Sequence, residues 1–182
     1  MRIIGGELRS RRLKSLPGLA LRPTPERLRE TLFDVLAPRI PGCCFLDAYA
    51  GSGAVGIEAL SRGAARAIFI EKRRAAVSVI RENLAALGLE QRAEVVAGAA
   101  LACLGRFSPD IAFLDPPYDL EREYEPALRL LGQAPPPLVV VQHAARLALK
   151  EEYGALRRSR LLKQGDNALS FFESKPSAGG LL

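Results

Sequence analysis

The stretch that decides the fold is Leu46-Asp47-Ala48-Tyr49-Ala50-Gly51-Ser52-Gly53-Ala54-Val55-Gly56, which joins an apolar run to a segment with a helical pattern. Its three glycines have the spacing GxGxxG. This spacing lets a backbone turn tightly between a strand and a helix and approach a nucleotide ligand at the helix N-terminus. The next apolar run is followed at once by Glu71, where an acid would bind two ribose hydroxyls. Together these features predict a nucleoside-containing cofactor.

Apolar runs alternate with helical patterns along most of the chain, which predicts a parallel sheet covered by helices on both faces. The runs are Cys43–Leu46, Ala67–Ile70, Ala93–Val96, Ile111–Leu114 and Leu138–Val141. Two further runs, Leu156–Lys163 and Ala168–Ser174, are joined by Gly165-Asp166-Asn167, which is typical of a hairpin loop. We therefore predict a Rossmann-like α/β fold, with a mostly parallel sheet that ends in a C-terminal antiparallel hairpin.

The ends of the chain differ from its centre. Residues 1–20 are predicted to form a basic extension, residues 21–175 the cofactor-binding domain, and residues 176–182 a flexible tail. Thr24-Pro25-Glu26 predicts the start of the first helix, with Thr24 as the N-cap and Pro25 at the first helical position.

Composition narrows the class of protein. The 182 residues suffice for one domain with a sizeable core. There is no apolar run of 18 residues and no signal-peptide core at the N-terminus, so we expect a cytoplasmic protein without a membrane span. The three cysteines make neither a disulfide framework nor a CxxC pair, and no His/Cys cluster has metal-ligand spacing. No metal is therefore expected.

The positive charge is concentrated near the N-terminus. The whole chain has a net charge of +6, and residues 1–30 hold eight basic against three acidic side chains, a net of +5. Such a cluster suits the phosphate backbone of a nucleic acid, and it equally describes a solvated surface. The residues predicted to contact RNA are Arg9, Arg11, Arg12 and Lys14.

A second motif, Asp115-Pro116-Pro117-Tyr118, directly follows the run Ile111–Leu114. It therefore falls at the C-terminal edge of a strand, where open α/β sheets bind their ligands. The prolines lack N–H groups, which leaves the Asp115 side chain and the Pro116 carbonyl as acceptors for an exocyclic amine. Tyr118 would stack on the base that carries the amine, a contact of about 1–3 kcal/mol. A plain proline turn at a strand end is the alternative interpretation.

Asp47 bears on the choice of cofactor. NAD would bring a pyrophosphate to the glycine loop, whereas S-adenosylmethionine would bring an ammonium group. A carboxylate just before the loop attracts the ammonium and repels the pyrophosphate, which favours S-adenosylmethionine. A carboxylate that only caps the loop is the alternative interpretation of Asp47.

Six segments of the chain carry a closer resemblance. They are Ile3-Ile4-Gly5-Gly6, Arg22-Pro23-Thr24, Arg29-Glu30-Thr31-Leu32-Phe33, Ala50-Gly51-Ser52-Gly53-Ala54, Glu58-Ala59-Leu60-Ser61-Arg62-Gly63-Ala64 and Asp115-Pro116-Pro117-Tyr118. Over essentially its whole length the chain resembles the bacterial 16S ribosomal RNA guanine-N2 methyltransferase family (RsmD type), within the class I S-adenosylmethionine-dependent methyltransferases. The resemblance implies a seven-stranded sheet and methylation of one guanine of 16S rRNA. It implies a partly assembled small ribosomal subunit as the substrate.

The resemblance also implies roles for individual residues. Those implied to bind or close over the cofactor are Asp47, Ala50, Gly51, Ser52, Gly53, Glu71, Arg22 and Thr24. Those implied to orient and stack on the guanine are Asp115, Pro116, Pro117 and Tyr118. For Arg22 and Thr24, a surface arginine and a plain helix cap are the alternatives.

Two positions depart from the family pattern. Where the family usually has a polar residue near the adenine, the chain reads Ala97-Gly98-Ala99-Ala100, so the adenine amine would bond to backbone or water. The fifth apolar run is followed by Gln142-His143 where the family tends to carry an acid. We do not expect His143 to act as a general base.

The sequence motifs are also compatible with three other functions. The tetrapeptide at Asp115 fits adenine N6 or cytosine N4 as well as guanine N2, in DNA or RNA. A nicotinamide-dependent oxidoreductase would bind NAD and leave that tetrapeptide without a role. A non-catalytic RNA-binding assembly factor would retain the donor pocket alone.

Overall fold

A computed structural model describes residues 1–16 and 25–175, without the side chain of Tyr118. The predicted tail and the positions Arg22 and Thr24 lie outside these residues. The helices described are α1 (Glu26–Leu36), α2 (Ala54–Ser61), α3 (Arg74–Leu87), α4 (Ala100–Cys103) and α5 (Tyr124–Leu131). The strands described are β1 (Cys44–Asp47), β2 (Arg66–Glu71), β3 (Ala93–Ala97), β4 (Ile111–Leu114), β5 (Leu138–Ala144), β6 (Glu152–Tyr153), β7 (Leu156–Gln164) and β8 (Asn167–Ser174). None of these helices has the length and apolar character needed to cross a membrane.

The strands described form one sheet in the order β3-β2-β1-β4-β5-β8-β7-β6. The first five in this order are parallel to one another, and the last three are antiparallel to their neighbours. The predicted α/β fold with a C-terminal hairpin is confirmed. The predicted count of seven strands is wrong, because Glu152–Tyr153 adds a strand of two residues, too short to produce an apolar pattern.

Helix α1 begins one residue later than predicted. Pro25 occupies the N-cap with an extended ψ of 136°, and helical dihedral angles begin at Glu26. The Pro25 carbonyl accepts hydrogen bonds from the backbone N–H groups of Leu28 and Arg29. The proline therefore still opens the helix, as a cap rather than as its first turn.

Two apolar clusters cover the two faces of the sheet. One cluster lies between the sheet and helices α1, α2 and α3, and we call this side the α1–α3 face. The other lies between the sheet and helices α4 and α5. Because side chains alternate along a strand, Phe113 and Val140 belong to the α1–α3 face, whereas Leu114 and Val141 belong to the opposite face.

Helix α2 packs very closely on β2. A Cβ on Gly56 would overlap the aromatic ring of Phe69, so only glycine allows this approach. The third glycine of the GxGxxG spacing therefore serves helix–strand packing, while the first two shape the loop before the helix.

Residues 1–14 fold back on α2 and α3, and we call them the N-terminal hairpin. Arg2 pairs with Arg12 in an antiparallel bridge, and the Leu13 N–H donates to the Met1 carbonyl at 3.0 Å. Ile3 and Leu13 are buried in the cluster on the α1–α3 face. The basic segment is thus packed on the domain through its apolar residues, while its arginines stay exposed.

Candidate active site

A cavity of about 400 Å³ opens where the parallel strands end. It lies where the strand order reverses between β1 and β4, the usual ligand position in open α/β sheets. Predicted site residues that line it are Asp47, Ala50, Gly51, Ser52, Glu71, Asp115 and Pro117. The structure therefore brings the glycine loop, the acid after β2 and the proline turn together around one space.

The glycine loop directs the N-terminus of α2 toward this cavity. Gly51 and Gly53 have φ of 56° and 82°, in the left-handed region that favours glycine. The Gly53 N–H donates to the Ala50 carbonyl at 2.7 Å, and Gly53 then serves as the N-cap of α2. Ala54 and Val55, the first two residues of α2, line the cavity, and N–H groups at a helix start can bind a ligand.

The Asp47 side chain forms a hydrogen bond that connects the end of β1 to the first turn of α2, after the glycine loop. Its Oδ2 accepts a hydrogen bond from the Gly56 N–H at 3.0 Å, and the side chain is buried at 2% exposure. Burial raises the pKa of Asp47 to about 7, although the Gly56 hydrogen bond acts in the opposite direction. The capping role is therefore present, and Asp47 also lines the cavity, within reach of a bound cation.

Glu71 is held in place from two sides. Its Oε2 accepts from the Gly51 N–H at 2.9 Å, which ties the end of β2 to the glycine loop. Its Oε1 accepts from the backbone N–H of Arg73 at 2.9 Å and from Arg73 Nε at 3.0 Å. A ribose bound here would share the carboxylate with Arg73, a residue that the sequence motifs did not indicate.

The proline turn and the glycine loop line the same cavity. Asp115 and Pro117 line the cavity, and Pro116 is buried. Tyr118 starts a short 3₁₀ helix, Tyr118–Glu123, which leads into α5. The side chain of Tyr118 lies outside what the structure describes, so its stacking role stays a prediction.

A hydrogen bond that the sequence motifs did not indicate joins the two halves of the cavity. The Tyr49 hydroxyl donates to Glu123 Oε2 at 2.8 Å, and both residues line the cavity. Burial and the neighbouring carboxylate both raise the pKa of Tyr49 above its ordinary value. The only feature of the sequence that could have indicated this hydrogen bond is the aromatic residue Tyr49 between Asp47 and the first glycine.

Glu58 fastens the N-terminal hairpin to α2. This fully buried carboxylate accepts from the backbone N–H of Ile4 at 2.9 Å and of Gly5 at 2.7 Å. It also accepts from Arg62 Nε at 2.9 Å. A Cβ on Gly5 would lie within 3 Å of the Arg62 guanidinium, which would have to shift to accommodate it.

Arg29 connects the same network to the cavity. It is 1% exposed, lines the cavity, and lies with its Nε 3.7 Å from Glu58 Oε2. Its Nη2 donates to the Arg2 carbonyl at 2.6 Å. Burial lowers the pKa of Arg29, while Glu58 raises it. The buried charges of Arg29 and Glu58, with Arg62, thus connect three of the six segments that carried the family resemblance: those that begin at Ile3, Arg29 and Glu58.

The four residues predicted to contact RNA lie on the N-terminal hairpin, and all are exposed. The Arg11 guanidinium donates to the Ala86 carbonyl at 3.3 Å, and Lys14 Nζ pairs with Glu82 at 2.8 Å. Two of the four cations are thus engaged with α3, and their role in RNA binding stays a prediction.

The two segments that departed from the family pattern differ in their relation to the cavity. Gly98, Ala99 and Ala100 line the cavity without a polar side chain. His143 is buried on the α4–α5 side, with Nε2 2.9 Å from Ser170 Oγ, and burial lowers its pKa. Among the residues described, no group of three His, Cys, Asp or Glu side chains is placed to hold a metal ion.

These features define the class of the protein. A parallel sheet with reversed strand order, a glycine loop before α2 and an acid at the end of β2 form the architecture of class I S-adenosylmethionine-dependent methyltransferases. Within that class, the model of the family described as "Conserved hypothetical protein 95" matches residues 1–173, and the chain belongs to this family. The family predicted from the sequence motifs is confirmed.

Individual relatives agree with this placement. Ribosomal RNA small subunit methyltransferase D of Escherichia coli (strain K12) is 47% identical over 120 residues, covering 65% of this chain and 60% of that protein. Bacillus subtilis (strain 168) YlbH, whose name describes a suspected rRNA methyltransferase, is 32% identical over 184 residues, covering 96% of this chain and all of that protein. The solved structure of a hypothetical protein from Thermus thermophilus, TTHA0928, has a TM-score of 0.81 at 35% identity, covering 95% of this chain and 99% of that chain.

Proposed function

We propose that this protein transfers the methyl group of S-adenosylmethionine to the exocyclic N2 amine of a guanine in 16S rRNA. The observation that carries the proposal is that Glu71 and Asp115, the acids of the donor half and the amine half, line one cavity. The name of the Escherichia coli relative specifies methylation of small-subunit ribosomal RNA, which supports the same substrate class. We take the substrate to be an assembling small ribosomal subunit in the cytoplasm.

The residues on the donor side fit S-adenosylmethionine. When bound, this cofactor supplies an electrophilic methyl group on a sulfonium. Glu71 offers carboxylate oxygens to the ribose hydroxyls, and Asp47 offers a buried carboxylate for the ammonium group. Gly98 and Ala99 offer backbone groups to the adenine. The cavity volume, about 400 Å³, lies within the range of sites for small organic ligands.

Asp115 prepares the guanine amine for attack. The lone pair of an aromatic amine is delocalised into the ring, and it becomes nucleophilic as the nitrogen turns pyramidal. Asp115 accepts one amine hydrogen and the Pro116 carbonyl accepts the other, which favours that geometry. Positioning and electrostatics would then supply most of the catalysis, in a single displacement without a covalent enzyme intermediate. The bond from N2 to the methyl carbon would form as the methyl–sulfur bond breaks, S-adenosylhomocysteine would leave, and the methylated amine would lose one proton to solvent.

The RNA is held by cations around this edge of the sheet. Exposed basic residues lie on the N-terminal hairpin, and on β7 the exposed Lys163 is level with His143, near the end of β5 at the same edge. A base within folded RNA must be turned out to enter the cavity, at a cost of a few kcal/mol. Stacking on Tyr118 would offset part of that cost.

The test of the amine site is Asp115→Ala. We expect methyl transfer to fall almost to zero, while the dissociation constant for S-adenosylmethionine changes by a few-fold at most. Asp119→Ala is the matched control, since Asp119 is an exposed aspartate four residues further on and does not line the cavity. Full activity in Asp115→Ala would overturn the proposal.

Calorimetric titration distinguishes S-adenosylmethionine from NAD as the cofactor. We expect S-adenosylmethionine to bind and NAD to show no heat of binding, because the Asp47 carboxylate beside the glycine loop would repel a pyrophosphate. Tight NAD binding would contradict the proposal and would favour a nicotinamide-dependent oxidoreductase.

A further inference from the structure

Glu123 is an acid of the cavity to which the proposed function assigns no role. It ends the short 3₁₀ helix that begins at Tyr118, directly after the proline turn. Both Pro117 and Glu123 line the cavity. The chain therefore returns to the cavity shortly after Asp115, on the segment that starts with the predicted base-stacking residue.

The position of Glu123 is fixed relative to the end of β4. The Ala48 N–H donates to the Phe113 carbonyl at 3.0 Å, so β1 and β4 stay paired up to the glycine loop. Tyr49 and Asp115 follow directly beyond this pairing, on chains about 4.8 Å apart. The Tyr49 hydroxyl donates to Glu123 Oε2 at 2.8 Å. Glu123 therefore lies within one tyrosine side chain of the sheet edge that carries Asp115.

The Glu123 carboxylate has one oxygen engaged and one oxygen available. Oε2 accepts from Tyr49, whereas Oε1 has no hydrogen-bond partner among the residues described and is not a buried atom. The residue is half-buried and lines the cavity, so Oε1 is open to a ligand there. An ionised carboxylate only accepts hydrogen bonds, so the matching ligand group is an N–H or O–H donor.

We propose that Glu123 recognises the N1–H group of the target guanine and so selects the base. This inference rests on the proposed function. In guanine, N1–H lies next to the carbon that carries the N2 amine, so one edge of the base presents both groups. With the amine held at Asp115, Glu123 Oε1 accepts from N1–H, while Tyr49 holds the other oxygen. Glu123 is then a specificity-determining residue, and Tyr49 is its positioning residue.

The ring position beside the amine distinguishes the three bases that the proline turn alone admits. Guanine presents the N1–H donor there, whereas adenine N1 and cytosine N3 present acceptors. An acceptor facing Glu123 Oε1 would be repelled, because neither group has a hydrogen to share, and this is how a polar site rejects the wrong ligand. Glu123 thereby supplies the discrimination that the turn at Asp115 lacks.

The first experiment measures methylation of small ribosomal subunits, taken from cells that lack the enzyme, by Glu123→Ala. We expect kcat/KM to fall by about tenfold to a hundredfold, the range for loss of one charge-assisted hydrogen bond. The dissociation constant for S-adenosylmethionine should change by a few-fold at most. Glu121→Ala is the matched control and should keep the wild-type kcat/KM. Glu121 lies on the same 3₁₀ helix, pairs with Arg146 at 3.2 Å and does not line the cavity.

The second experiment replaces the target guanine, once mapped, by 2-aminopurine in reconstituted subunits. This base keeps the 2-amine, but its N1 is an acceptor and it has no oxygen at position 6. Wild-type enzyme should prefer guanine by about tenfold or more. In Glu123→Gln the amide can turn its NH₂ group toward the base while Tyr49 donates to its oxygen, so the preference should fall to near one or reverse. The missing oxygen affects both proteins alike, so the difference between their preferences measures the contact at N1.

Tyr49→Phe distinguishes recognition from positioning in the same assay. This variant loses the hydroxyl but keeps the Glu123 carboxylate, which still has no hydrogen to donate. We expect a lower rate on both bases with the preference for guanine retained. Loss of the preference in Tyr49→Phe together with its retention in Glu123→Gln would contradict the assignment.

The outcomes separate this inference from the proposed function. If wild-type enzyme forms no N2-methylguanosine, the proposed function fails. If it does, and folded Glu123 variants keep both the rate and the preference of wild type, this inference alone is overturned. A lower rate with the wild-type base preference would show a structural role only and would also overturn it. Glu123→Gln keeps the size of the side chain and an acceptor for Tyr49, so it carries the test if Glu123→Ala does not fold.

Discussion

The Tyr49 hydroxyl donates a hydrogen bond to Glu123 Oε2 at 2.8 Å, which ties the glycine loop to the 3₁₀ helix after the proline turn. The two residues are 74 positions apart in the chain, and both line the cavity. The contact therefore fixes the spacing between the donor half and the amine half of the site.

Removal of this hydrogen bond should impair catalysis more than folding. Tyr49→Phe keeps the ring and leaves the Glu123 carboxylate without its donor, so we expect kcat/KM to fall by about tenfold, equivalent to about 1.4 kcal/mol. Steady-state kinetics on small ribosomal subunits measures the effect. Tyr153→Phe is the control, because the Tyr153 hydroxyl accepts from the Lys150 N–H and does not line the cavity. Equal kinetics for the two variants would show that the contact does not position the site.

The buried ion pairs of Glu58 with Arg29 and Arg62 should contribute much of the stability of the N-terminal hairpin against α2. Glu58→Gln leaves Arg29 and Arg62 without their shared counter-charge in the interior, so we expect the free energy of unfolding to fall by about 3 kcal/mol. Urea unfolding followed by circular dichroism measures the loss. Glu125→Gln is the control, since Glu125 pairs with Arg129 and Lys150 on the surface, where ion pairs contribute about 0–1 kcal/mol. Similar losses for both variants would contradict the role assigned to Glu58.

The pKa of Asp47 predicts a pH dependence of stability. Burial raises that pKa from 3.8 to about 7, so between about pH 4 and pH 7 the folded protein binds a proton that the unfolded chain has released. Stability therefore falls as pH rises through this window, by about 1.4 kcal/mol for each unit of pKa difference. Relative to Asp47→Asn, wild type should lose a few kcal/mol between pH 4 and pH 7 and change little above it. A constant difference between the two proteins across this range would show that the Asp47 pKa is not raised.

Much of the fold could be predicted from patterns in short segments of the sequence. The glycine loop, the acid at Glu71 and the proline turn at Asp115 are short segments whose geometry depends on neighbouring residues, and strand order then brings them together. The strand β6 escaped prediction because two residues form no pattern. The apolar runs indicated the other seven strands.

The contacts that complete the site are not local. Glu58 contacts Ile4 and Gly5 more than 50 residues away, and Tyr49 contacts Glu123, 74 residues further along the chain. Such pairs depend on how helices and loops pack after the sheet has formed, and no spacing in the chain encodes them.

In the proposed function, the protein transfers a methyl group to guanine N2 of 16S rRNA within a single cavity. The most direct measurement incubates the protein and labelled S-adenosylmethionine with small ribosomal subunits from cells that lack the enzyme, digests the RNA and separates its nucleosides. We predict that the label is recovered as N2-methylguanosine in 16S rRNA, and that Asp115→Ala yields almost none. Label in N6-methyladenosine or N4-methylcytidine, or no label in the RNA, would contradict the account.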